Sequence, residues 1–134
     1  MNKYMVAAFI SLEVLMTTKD IINLDYRETK NQEIIQKVLK QIKPLSRYSD
    51  EEEIPFSALE KAITVMCKKY MMRVNQLVPD MWANNEHTIW RAWLINDTNL
   101  KTIDMVYGIT LYEVFAKTAI RLYAEVKKGI KTRN

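Results

Sequence analysis

Side chains that could do chemistry are few in this chain, and they do not gather. His87 is the only histidine and Cys67 the only cysteine. With no second histidine or cysteine cluster beside it, His87 does not make a metal site. Cys67 falls on the apolar seam of a helical pattern and reads as a packing residue, not a nucleophile. A single cysteine also excludes an intramolecular disulfide. Asp50-Glu51-Glu52-Glu53 offers clustered oxygens for a hard cation, but it lacks the spaced pattern and the glycine of a calcium loop. The run reads instead as a solvated turn that feeds negative charge into the N-terminus of the next helix. Glu13 interrupts an apolar run, so it is either paired with a Lys or Arg of another element or raised in pKa for proton transfer, and the paired reading is preferred. Gly108 and Gly129 are the only glycines, too few for a phosphate-cradling loop. No catalytic constellation results, and the expectation is a protein that is not an enzyme and carries no cofactor and no metal.

Residues suited to binding are better represented. Lys61, Lys68 and Lys69 ride the outer face of an expected helix with Val65 and Met72 among them, and Arg73 sits at its edge. Lys127, Lys128, Lys131 and Arg133 make the C-terminal end basic. The net charge is +4, with basic stretches at 56–78 and 100–134 and acidic ones at 44–55 and 79–99. Such a distribution suits a nucleic-acid backbone contacted through these eight residues without reading its sequence. Trp82, Trp90 and Trp93 fall in one stretch, and tryptophans serve both as interface hot spots and as core anchors. The leading functional expectation is therefore a noncatalytic small helical subunit of a nucleoprotein assembly. The alternative is an adaptor or inhibitor that docks on a protein through the tryptophans, or a chain that self-associates through an apolar helix face. In size, helicity and charge the chain resembles the small helical subunits of RNA-guided effector complexes, a likeness of class with no motif behind it.

The elements that must position these residues read as helices. A chain of 134 residues is one domain by size, and the scarcity of glycine argues against an all-β fold with many tight turns. The periodicity predicts an all-α, single-domain bundle of about five helices at 3–18, 20–43, 55–78, 85–96 and 100–128, with a basic tail at 129–134. Helix 20–43 can form in two pieces, the second opened by a capping box at Thr29-Lys-Asn-Gln32. In helix 55–78, Phe56, Leu59, Ile63, Met66, Cys67, Tyr70, Val74 and Leu77 make the buried seam. In 85–96, Trp90, Trp93 and Leu94 share one face. The last helix is the hub of the bundle. Glu113, Lys117, Arg121 and Glu125 form one narrow charged stripe at i, i+4 spacing, and Leu111 to Val126 is otherwise mostly apolar. Gly108 is expected to kink this helix, a helix-turn-helix around it being disfavoured by Asp104 and by the apolar residues that would face bases. The apolar N-terminus lacks a cleavage site and is too short to span a bilayer, so a cytoplasmic protein without membrane contact is expected.

Overall fold

The computed structural model describes residues 16–79 and 90–129, with 76–79 as backbone only. Two short helices come first, α1 (Thr18–Ile22) and α2 (Thr29–Leu39), followed by a 3-10 turn at Lys43–Leu45. Helix α3 (Phe56–Tyr70) leads into three consecutive strands, β1 (Met72–Pro79), β2 (Trp90–Asn96) and β3 (Lys101–Gly108). Helix α4 (Leu111–Lys127) follows them. The strands form an antiparallel sheet in the order β1-β2-β3. The fold is therefore α+β and not the all-α bundle, and the likeness to small helical subunits falls with the helicity that supported it.

Three expected helices are corrected. Helix 55–78 ends at Tyr70, where Met71 takes the left-handed conformation (φ 57, ψ 48) and turns the chain into β1. From Met72 to Asn75 burial alternates residue by residue, the period of a strand with one covered face. Residues 90–96 of the expected helix 85–96 are the central strand β2, and 85–89 lie outside the described residues. Helix 100–128 is split into β3 and α4. Gly108 is no kink. It ends β3, and a Cβ there would stand 2.8 Å from Val114 Cγ2 and 3.0 Å from Glu113 Cγ. The strand passes the first turn of α4 at a distance that only glycine permits.

The expectations for the earlier helices hold in part. Helix 3–18 and Glu13 lie almost wholly outside the described residues, while 20–43 does form in two pieces, as α1 and α2. Thr29 is the first helical residue of α2 and no side chain caps it; Gln32 Nε2 donates to Tyr26 O at 2.8 Å instead. The reciprocal capping box sits at Thr17 and Asp20, ahead of α1.

Helix α4 is the hub in space, packing against α1, α2, α3, β2 and β3. Val114, Ala116, Ala119, Ile120 and Leu122 are buried in it among Ile21, Ile35, Leu39, Leu59 and Leu94. Its charged stripe is turned inward. Lys117 Nζ lies 2.6 Å from Glu113 Oε2 and donates to Leu24 O at 2.7 Å, and both side chains are buried. Glu113 Oε1 accepts Ile109 N–H at 2.9 Å, and Glu113 N–H donates to Thr110 Oγ1 at 3.1 Å. Further along, Arg121 Nε reaches Asp104 Oδ2 on β3 at 2.9 Å and its Nη1 reaches Glu125 Oε1 at 2.7 Å. A second polar knot ties α4 to the segment before α3. Gln36 Nε2 donates to Tyr112 Oη at 2.8 Å, Gln36 Oε1 accepts Ile54 N–H at 2.9 Å, and Tyr112 Oη donates to Ile54 O.

Lys117→Met leaves the Glu113 carboxylate buried without its cation, and is expected to lower stability by about 3–5 kcal/mol. Glu113→Gln combined with Lys117→Met should recover more than half of that loss in urea denaturation, because no unpaired charge then remains. At the β2–β3 turn Leu100 holds φ 60 and is 72% exposed. Asparagine tolerates that conformation far better, so Leu100→Asn is expected to raise stability by about 0.5–1 kcal/mol in the same assay.

Candidate functional site

The sheet has two unlike faces. Met72, Val74, Ala92, Leu94 and Val106 turn toward α3 and α4 and pack in the core. Side chains at the intervening positions turn the other way, and no described helix packs on that face. Register places Arg91 opposite Tyr107 and Trp93 opposite Met105, so these four make a contiguous square. Tyr107 is 39% and Met105 36% exposed. Trp93 is half-buried and its Nε1–H donates to Thr102 Oγ1 at 2.9 Å, which fixes the indole against the strand. Tyr107 Oη contacts Met105 Sδ at 3.6 Å. Arg91 Nε is shielded from solvent and has no acceptor. A guanidinium N–H in that state has lost its hydration without replacing it.

Cations continue from this square across the β1 edge. Arg73 lies on the same face, opposite Ile95, with its Nε 2.9 Å from Asp97 Oδ1. Around the edge runs a shallow groove of about 370 Å³ between α3 and β1, with Lys68 and Arg73 on its polar side and Ile63, Cys67 and Met72 on its apolar side. Met72 is buried in it, not exposed among the lysines as expected. Lys61, Val65 and Lys69 are exposed on α3, Lys69 Nζ standing 5.5 Å from the Tyr70 ring.

The structure divides the expected site residues. It brings Lys68 and Arg73 together and keeps Lys61 and Lys69 nearby on α3. Lys127 Nζ lies 5.3 Å from the Tyr123 ring and Lys128 Nζ 2.8 Å from Glu125 Oε1, both at the far end of α4. Lys131, Arg133, Trp82 and His87 lie outside the described residues. Trp90 and Trp93, expected side by side on a helix, lie on opposite faces of β2, with Trp90 packed against the core. Arg91, Met105 and Tyr107 were not anticipated. The signal for Met105 and Tyr107 was the run Thr102-Ile-Asp-Met-Val-Tyr107, rich in β-branched and aromatic residues, and Arg91 enters only through its pairing with that strand.

Among the described residues no group of three or more His, Cys, Asp or Glu could hold a metal ion, and no helix is long and apolar enough to cross a membrane. No family model, curated protein or solved structure matches the chain, so its own geometry carries the functional reading.

The thiol in the groove behaves as its setting requires. Burial, with the charge of Asp97 behind it, pushes Cys67 from 9.0 up to about 11. At pH 8 its thiolate fraction is then about a hundredfold below that of the unfolded chain. Iodoacetamide is expected to alkylate the native protein slower by about that factor. Because the folded value is raised, the associated stability is fully present below pH 9 and is lost as pH rises toward 11. Tyr26 and Tyr112, also raised chiefly by burial, act in the same direction. Denaturation midpoints at pH 7 and pH 10.5 should differ less in Cys67→Ala than in the parent.

Proposed function

We propose that the protein is a noncatalytic nucleic-acid-binding subunit that holds a single strand on the outer face of its sheet. Its bases stack on Trp93 and Tyr107, which occupy diagonal positions on neighbouring strands and so lie about 7–8 Å apart. Splayed single-stranded bases suit that spacing, whereas bases stacked in a duplex do not offer their faces. A phosphate between them accepts from the Arg91 guanidinium, whose side chain swings outward to bring its shielded Nε–H to the ligand. The backbone then continues past Arg73 toward Lys68, Lys69 and Lys61, which neutralise phosphates without reading sequence. The observation that carries this reading is the buried, acceptorless Nε–H of Arg91 set beside two aromatic rings. A second reading, docking on a protein, is favoured by one observation. Leu100 presents a large apolar side chain from a strained turn, which suits insertion into an apolar pocket.

Anisotropy titrations with labelled single- and double-stranded DNA and RNA separate the two. Single strands are expected to bind tighter than duplexes, with affinity falling as salt rises at about 0.7 in log–log slope per phosphate neutralised. Tyr107→Ala and Arg91→Ala should each weaken binding by about tenfold, and Lys68→Ala with Lys69→Ala should mainly flatten the salt slope. Absence of binding at low salt, or full affinity in Tyr107→Ala, would sink the nucleic-acid reading and leave the protein-docking one.

A further inference from the structure

Where α3, α4 and the inner face of the sheet meet, the core is incompletely filled. A cleft of about 260 Å³ opens there, walled by Ile63, Val74, Ala92 and Phe115. The Phe115 ring is held by Phe56, with ring centroids 4.5 Å apart, so that wall is firm. Three polar side chains also line the cleft: Glu60, Thr64 and Thr118. Thr118 is only 2% exposed, and its Oγ1 is sealed from solvent without a hydrogen-bond partner. A threonine inside a helix can return its hydroxyl to the carbonyl one turn back, and this one does not. Core packing does not explain the hydroxyl, because valine would fill the same volume without losing hydration. Glu60 and Thr64 stand one helical turn apart on α3 and are exposed at the mouth. No described cation pairs with Glu60.

We propose that this cleft binds a small alkyl- or arylalkylammonium ion. Its apolar body lies between Phe115, Ile63, Val74 and Ala92, and its nitrogen donates to Thr118 Oγ1, which rotation about χ1 turns into the cleft, with the Glu60 carboxylate balancing the charge. An anion is repelled by Glu60, and a purely apolar guest leaves Thr118 unsatisfied. The volume holds about eight or nine water-sized groups, below the usual range for larger ligands, so the guest is a small one. The cleft opens on the covered side of the sheet, and its occupancy does not depend on nucleic acid binding to the other face.

Amide-resolved NMR titration of the full chain at pH 7 with 2-phenylethylamine, 2-phenylethanol and 3-phenylpropionate tests it. The amine is expected to give saturable shifts centred on Ile63, Thr64, Phe115 and Thr118, with a dissociation constant of about 1 mM, modest for a ligand of that size. The alcohol should bind about tenfold more weakly, and the carboxylate should not saturate. Glu60→Gln should reduce the amine to the level of the alcohol. Thr118→Val should weaken the amine by about three- to tenfold, while raising the melting temperature of the unliganded protein by a few degrees, because the orphaned hydroxyl is gone. Equal affinity for the three probes, no saturation by the amine, or unchanged affinity in Thr118→Val would overturn the proposal. A lower melting temperature in Thr118→Val would do the same, since the hydroxyl would then have a partner in the protein.

Discussion

The buried ammonium of Lys117 is the constraint on which the rest of the fold depends. An ion taken out of water is tolerated only when its hydrogen-bonding capacity is met, and here the acceptors come from two distant parts of the chain. Glu113 lies one turn back on the same helix, while the Leu24 carbonyl belongs to the turn after α1. The glutamate in turn accepts the backbone of Ile109 in the link from β3. One cation therefore holds the chain before α2, the end of the sheet and the first turn of α4 in a single arrangement. Gly108 completes it, because the strand must come within van der Waals contact of Glu113 and Val114 for Ile109 to reach the carboxylate. An apolar pair of the same size would pack without fixing that approach.

The next pair along the helix carries the same logic to the sheet. Arg121 reaches Asp104, and Asp104 can face the helix because the register of β3 slips between its pairings with Leu94 and Ile95. The slip leaves Ile103 as an extra residue, so the strand bends and its charged and apolar positions are re-aimed. Beyond the bulge, Met105 and Tyr107 turn away from α4 while Val106 turns toward it. The exposed aromatic face and the buried ion pairs are thus two consequences of one registration of α4 on β3.

The helices and the sheet were not equally legible in the sequence. The face of α3 that carries Leu59, Ile63 and Met66 and the whole of α4 follow from a 3.6-residue period, because local spacing decides which side chains share a helix face. The strands failed because the residues of β2, Trp-Arg-Ala-Trp-Leu-Ile-Asn, place large apolar groups three apart as well as two apart, and a helix template accepts them. What decides for strand is pairing with β1 and β3, a long-range interaction that no local window contains. The usual glycine signal of a tight turn was also missing, since the β2–β3 turn uses Leu100 in the left-handed region. Misreading the period carried over to the site. On a helix Trp90 and Trp93 would act together, whereas on a strand an odd separation sends one to the core and the other to the far face. Lys68 and Arg73 survived because they flank the helix-to-strand junction, where either reading leaves them on the surface.

The composition of that far face bears on whether it is a binding surface. A sheet face meant only for water is furnished with threonine, lysine and glutamate, which hydrate well and keep strands from sticking together. Here Trp93, Met105 and Tyr107 occupy it, with Arg91 and Arg73 interleaved, while Ile95 beside Arg73 is itself buried. Apolar area of this kind left in water loses the hydrophobic stabilisation of burial and invites association, and in the proposed reading a bound strand is what covers it. The interleaved guanidinium groups restrict what that cover can be. A purely apolar partner would strand the Arg91 Nε–H, which the protein itself does not satisfy, whereas a strand of nucleotides offers a ring for each aromatic and an anionic oxygen for the arginine between them.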